Sequence, residues 1–214
     1  SQIVFSSLLQ KLGDTHKTSE LSNWMLYKPL EELSELLQGT KASAHMSMKS
    51  EKTSGSIRSV ASSFLNCLDY LKDTKNPFSI RNWVKSEDCD SWLFLHCTTG
   101  QRSAATPLMT TWISMGIKSL MTLTPDRKRR LWFILDEAAS LNKVKDLEVI
   151  ITEGRKFGGC TVLALQSPSQ LEAIYGKNTT NIITGNCYTK IVFSEQDPEV
   201  AKRVSRCFGE REVW

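Results

Sequence analysis

The chain has 214 residues, of which 40% are hydrophobic and 23% charged, a composition that excludes a disordered or fibrous protein and indicates a globular fold. Its formal net charge of +4 permits contact with nucleic acid without demanding it. The six cysteines (Cys67, Cys89, Cys97, Cys160, Cys187 and Cys207) form no CxxC pair and no recurring spacing, which argues against a zinc site and a disulfide framework and for a reducing compartment. No apolar run approaches the roughly 18 residues of a membrane helix. The start, Ser1-Gln2-Ile3-Val4-Phe5, lacks the basic region of a secretory signal, so the segment is expected to be soluble by itself. Since the first residue is not Met, an excerpt of a longer protein is expected.

Residues 1–75 carry apolar positions at helical spacing. Leu30, Leu33, Leu36 and Leu37 form a run that begins with Pro29 in the first-turn position and stops at Gly39, the expected C-cap residue. Residues 40–56 are rich in Ser, Thr, Lys and Met without a period, and a mobile surface loop is expected there. Ile57, Val60, Ala61, Phe64, Leu65, Leu68 and Leu71 then mark one face of the clearest helix in the chain. Asn76-Pro77 closes this helical region, because proline disfavours helical geometry in the residue before it. The expected division is a helical domain over 1–76 and an α/β domain over 77–214.

Beyond residue 78 the pattern changes to short apolar runs, at 92–96, 131–135, 161–165 and 188–193, each of strand length. Helices are expected between them: one over about 105–121, and one with Leu147, Ile150, Ile151 and Gly154 on a face, stopping at Gly158-Gly159. A third opens with the capping box Ser167-Pro168-Ser169-Gln170 and ends near Gly176. A last helix runs from Pro198, behind the N-cap Asp197, to Gly209. Alternating strands and helices imply a parallel sheet with helices on both faces.

Ligands of such sheets sit beyond the carboxyl ends of the strands. The run Leu131-Trp132-Phe133-Ile134-Leu135 leads directly into Asp136-Glu137, the shape of a Walker B motif. There the aspartate helps to hold the magnesium of a nucleotide and the glutamate polarises the attacking water. From the dipeptide alone, the commoner reading of Asp136 is the cap of a turn. Gln166 ends the next run and lies beside Asp136 if the two strands are neighbours, where its amide contacts a terminal phosphate or positions water; otherwise it is a solvated residue ahead of the capping box. Arg155 stands at the end of a helix, where the helix dipole favours any cation. In a ring of motor subunits the same position reaches the phosphates of the adjacent subunit.

The strings LWFILDEAASL (131–141), EGRKFGG (153–159), VLALQ (162–166) and QLEAIYG (170–176), in this order and spacing, resemble the nucleotide-binding domain of the type IV secretion coupling proteins, the TraD/TraG group. The likeness is strongest over 131–212. Residues 1–75 are similar in kind to the all-alpha domain that this family inserts into its motor. The resemblance implies a RecA-like α/β domain with an all-alpha insertion, belonging to a membrane-anchored, homo-hexameric ATPase at the cytoplasmic face of the bacterial inner membrane. Such an enzyme uses ATP and Mg²⁺ to bring relaxase-bound single-stranded DNA, or a protein substrate, to the secretion channel. Carried onto this sequence, Asp136 and Glu137 match the Walker B acids, with Asp136 holding Mg²⁺ through water. Arg155 matches the finger acting in trans, and Gln166 the glutamine that senses the terminal phosphate.

One element of the family pattern is missing. The phosphate loop GxxxxGK followed by Ser or Thr occurs nowhere in the sequence: Gly39-Thr40-Lys41 lacks the upstream glycine, and Gly100-Gln101-Arg102-Ser103 has no lysine. The first strand and the phosphate loop are expected outside this chain, which is then inactive alone. Two rival readings stand beside the conjugative motor: a coupling ATPase for protein effectors or an FtsK-like translocase, and a non-catalytic docking module on a degenerate scaffold. The basic run Arg127-Lys128-Arg129-Arg130, and Lys41, Lys49, Lys52 and Arg58, either touch DNA phosphates or solubilise loops.

Overall fold

The structure, a computed structural model, describes residues 2–13, 17–46, 51–86, 90–194 and 198–209. Two compact units emerge, the first formed by Ser1–Ser79 with Trp92–Met109 and the second by Ile80–Ser91 with Thr110–Trp214.

The first unit is helical. Helix α1 (Gln2–Leu12) buries Val4, Leu8 and Leu12, a spacing of four that stacks them along one side of the helix. Gly13 closes it at φ +72°, its amide donating to the Leu9 carbonyl (2.9 Å). Helix α2 (Thr18–Ser22) widens into a π-turn, Asn23–Tyr27, which seats Met25 in the core. Helix α3 (Leu30–Leu36) follows, with Pro29 one position further out than expected, at the N-cap. Leu33, Leu37, Ala61 and Leu65 complete the core with Met25 and the α1 residues.

Two expectations for this unit need correction. The stretch 40–56 is not a loop throughout: Ser43–His45 forms a short 3-10 turn, Ala42 and Met46 are fully buried, and helix α4 (Glu51–Leu65) has already begun. Buried Ala and Met anchor the segment without producing any helical period in the sequence. On α4, Ala61 and Leu65 face the core and Ile57 packs against it, whereas Val60 and Phe64 are exposed. The helix also ends at Leu65, where a 3-10 turn (Asn66–Tyr70) takes over and rotates Leu68 relative to the α-helical register. Arg58 is half-buried, its guanidinium donating to the Lys28 carbonyl at 2.5 Å, so it braces the fold; Lys41 and Lys52 remain exposed, and Lys49 lies outside the described residues.

The second unit contains helix α5 (Ile80–Lys85), the greater part of helix α6 (Arg102–Met121), strand β1 (Leu131–Leu135), helix α7 (Leu147–Glu153), strand β2 (Gly159–Leu163), and helices α8 (Pro168–Tyr175), α9 (Lys177–Asn186) and α10 (Pro198–Phe208). Strands β1 and β2 pair in parallel, Leu131 opposite Gly159 and Leu135 opposite Leu163. Helices cover one face of this pair. A Cβ on Gly116 of α6 would meet the Phe133 ring at 3.3 Å, and one on Gly159 would meet Ile150 of α7 at 2.6 Å and Leu120 of α6 at 3.0 Å. Residues of the other face, Trp132 (55%), Ile134 (53%) and Val162 (43%), are exposed.

Of the expected strands, 131–135 forms as read and 161–165 forms two residues earlier. The runs at 92–96 and 188–193 belong to no ladder among the described residues; Phe94 and Phe193 are 77% and 87% exposed. An apolar run becomes a strand only where a partner strand accepts its backbone bonds. His96 therefore ends no strand among the described residues. Helices α6 and α8 match their expected spans closely, α7 ends at Glu153 with a 3-10 turn (Gly154–Phe157) filling the rest of its expected span, α5 and α9 carried too weak a period to be read, and Asp197, the expected cap of α10, lies outside the described residues. No described helix is long and apolar enough to cross a membrane.

Candidate nucleotide site

The carboxyl ends of β1 and β2 are stitched together one step past the strands. Ala164 donates its N–H to the Leu135 carbonyl (3.0 Å), and Ala138 donates to the Ala164 carbonyl (3.1 Å). Between these two bonds the chain of β1 must turn sharply, and Glu137 does so in the left-handed region, at φ 53° and ψ 54°. A non-glycine residue held there stores strain, a feature that clusters at functional sites. The turn continues as a 3-10 segment, Ala138–Leu141.

This geometry brings Glu137 and Gln166 together. The Gln166 amide donates from Nε2 to Glu137 Oε1 at 3.0 Å. Asp136, the preceding residue, is exposed at the strand end, and Glu137 is half-buried. Gln166 in turn accepts from Gln170 Nε2 at 3.5 Å. Ser167 caps α8 by accepting from Ser169 N–H (3.3 Å), while the Gln170 side chain accepts from Ser167 N–H (3.4 Å), so the capping box read from the sequence is present.

Arg155 is not part of this cluster. It is exposed in the 3-10 turn Gly154–Phe157 that leads into the amino end of β2. The five-residue strands separate it from the acids by about 16 Å at roughly 3.3 Å per residue. Its turn is firmly built. Arg129 donates through Nη1 to the carbonyls of Phe157 and Thr124, each at 3.1 Å, and Asp126 N–H donates to the Lys156 carbonyl at 3.0 Å. A Cβ on Gly154 would lie 2.4 Å from the Ile150 side chain, and one on Gly159 2.6 Å from it. Within the basic run, Arg129 is thus a structural brace, while Arg127 and Lys128 are exposed.

A cleft of about 320 Å³ lies beside α8 and α10, lined by Ser169, Glu172, Glu199, Val200, Lys202 and Arg206. None of Asp136, Glu137, Arg155 and Gln166 lines it. Sequence reading missed the part of Gln170 in the cluster, although its signal was available as a second glutamine four residues after Gln166. It also missed the backbone of Glu137, for which an isolated sequence offers no signal.

The family model of the type IV secretion-system coupling protein DNA-binding domain matches residues 1–214, the whole chain. The chain belongs to the type IV secretion-system coupling proteins. Within that family it is 32% identical over 213 residues to the coupling protein TraD of Escherichia coli (strain K12), a match covering 97% of this chain and 30% of TraD. It is similar in structure to the conjugative coupling protein TrwB. TrwB bound to the non-hydrolysable GTP analogue GDPNP superposes with a TM-score of 0.84 at 31% identity, over 99% of this chain and 52% of TrwB. TrwB in complex with ADP and Mg²⁺ superposes with a TM-score of 0.75 over 86% of this chain and 45% of that one. The chain therefore spans about a third to a half of the length of these coupling proteins, and the RecA-like α/β fold expected from the sequence stands.

Proposed function

We propose that these residues form part of the ATP motor of a conjugative type IV coupling protein, which hydrolyses ATP to deliver relaxase-bound single-stranded DNA to the secretion channel. The observation that carries this reading is the contact of Glu137 with Gln166 at the joined carboxyl ends of two parallel strands, with Asp136 one residue before it. Ligands of open α/β sheets bind at this end. In the complete protein the phosphate loop comes from outside these residues, since GxxxxGK with Ser or Thr is absent from the sequence. The same missing part of the domain supplies the layer that covers Trp132, Ile134 and Val162.

Asp136 offers a hard oxygen donor exposed at a rigid strand end, which fits Mg²⁺, an ion that takes one or two carboxylates together with water and phosphate oxygens. When bound, the ion draws negative charge from the phosphates. Glu137 orients the attacking water and accepts its proton at the carboxylate. Gln166, within hydrogen-bond reach of that carboxylate, holds it in register and turns its amide to the terminal phosphate. Arg155, too distant to serve the site of its own chain, acts on the phosphates of a neighbouring subunit in a homo-hexamer. The helical domain of residues 1–76 contacts DNA and the relaxosome, and residues 77–214 work as the motor. The assembly stands at the cytoplasmic face of the bacterial inner membrane, held by an anchor outside these residues.

The test is Glu137→Gln in the complete protein. Turnover is expected to vanish while ATP binding persists, and wild-type hydrolysis by the variant would remove Glu137 from the role of base. Stimulation of hydrolysis by single-stranded DNA, with co-purification of a relaxase, separates conjugative cargo from a protein-effector system.

A further inference from the structure

We propose that Gln170 is a positioning residue for ATP hydrolysis: through its place in the α8 capping box it fixes the Gln166 amide with its NH₂ group toward Glu137. The proposal rests on the motor reading above. A glutamine amide presents a donor at one end and an acceptor at the other, and only one orientation of Gln166 is useful here. With Nε2 toward Glu137 it donates to the carboxylate at 3.0 Å; turned over, it would set a carbonyl oxygen against a carboxylate oxygen.

The orientation is set from the far side. Ser167 N–H is a backbone donor with no freedom to reverse, and it donates to Gln170 Oε1 at 3.4 Å. That contact fixes the Gln170 amide and leaves its Nε2 to donate to Gln166 Oε1 at 3.5 Å. Gln166 then presents Nε2 to Glu137. The donor direction therefore runs from a backbone amide through two glutamines to the carboxylate. The two outer contacts are long for N–H···O bonds, as contacts at catalytic sites often are before substrate closes the site. Register supplies the rest: Gln166 ends the segment after β2, Ser167 is the cap, and Gln170 is the third residue of α8.

Gln170→Glu separates this role from simple helix capping. A carboxylate at that position still accepts from Ser167 N–H and suits a helix N-terminus, so the cap survives. It has no proton to donate to Gln166 Oε1, and it competes with Glu137 for the Gln166 NH₂ group. In the complete coupling protein, Gln170→Glu is expected to lower kcat for ATP by roughly 10- to 100-fold, the scale of a misplaced catalytic group, with KM and the thermal midpoint unchanged. Gln170→Ala should lose both turnover and some stability. Wild-type kcat in Gln170→Glu would overturn the proposal, because capping alone would then explain the residue. A complete protein without any turnover would instead overturn the motor reading, and the hydrolytic role with it. A second measurement reads the contact directly: in the ¹⁵N spectrum of the complete protein, the Gln166 side-chain NH₂ resonance, identified by its loss in Gln166→Glu, is expected to move in Gln170→Glu. An unmoved resonance would overturn the proposal whatever the turnover.

Discussion

Single residues on this chain carry bonds that their neighbours in sequence give no hint of. The Tyr175 hydroxyl accepts from the buried Val144 N–H at 2.9 Å, 31 residues away, and burial pushes its ionisation above the ordinary tyrosine range. Tyr175→Phe leaves that amide unpaired, and a loss of about 1–3 kcal/mol is expected. It would be read as a lower urea midpoint with an unchanged m-value. In the helical unit, Asp73 accepts from Ser19 Oγ (2.5 Å) and Thr18 N–H (3.1 Å). These bonds, the Ser19 hydroxyl first, hold its carboxyl below the usual aspartate value against a smaller opposing effect of desolvation. Because the folded state favours the ionised form, the contribution is present above the unfolded value of about 3.9 and is lost as pH falls through the lower folded value. Hydrogen-exchange protection of Thr18 N–H should therefore fade on acidification, and Asp73→Asn should show reduced protection at neutral pH.

At the scale of elements, the turn between α7 and β2 shows why a string such as EGRKFGG is legible. Gly158 has φ +83°, and a Cβ there would lie 2.5 Å from the Arg129 carbonyl oxygen. Gly39 has φ +75° with nothing within 4 Å. Gly39→Ala is expected to cost about 1 kcal/mol, the price of the backbone conformation alone. Gly158→Ala adds a clash with main chain and should cost about 3 kcal/mol or more, read from the thermal midpoint. If the two variants were equally stable, the close packing of the Arg155 turn against Arg129 would be refuted. The capping box of α8 was legible for a related reason: a cap is satisfied within four residues, so the sequence contains the whole interaction. The strands expected at 92–96 and 188–193 were not of this kind, because a strand is completed by a partner that the run itself does not specify.

At the scale of the molecule, helices cover the Phe133 face of the two-stranded sheet while Trp132, Ile134 and Val162 are exposed on the other. Contiguous exposed apolar surface promotes association. The present chain is expected to self-associate at high concentration in sedimentation experiments. Ile134→Thr with Val162→Thr should weaken that association while changing stability by only about 0.5 kcal/mol per site, as exposed positions usually do. Unaltered association would locate the sticky surface elsewhere.

The sequence by itself determined the two kinds of periodicity, the presence of helices α6, α7 and α8, strand β1, and the acids that follow it, because each depends on residues close together along the chain. Through the motifs at 131–176 it also determined the family. Only the tertiary structure decided that β1 and β2 are neighbours, that Glu137 turns through the left-handed region to meet Gln166, and that Gln170 stands behind that amide. It also separated Arg155 from the acids by the length of the sheet. Those relations depend on which strand accepts which backbone bonds and on which face a helix covers, and such choices are made by packing between segments distant in sequence.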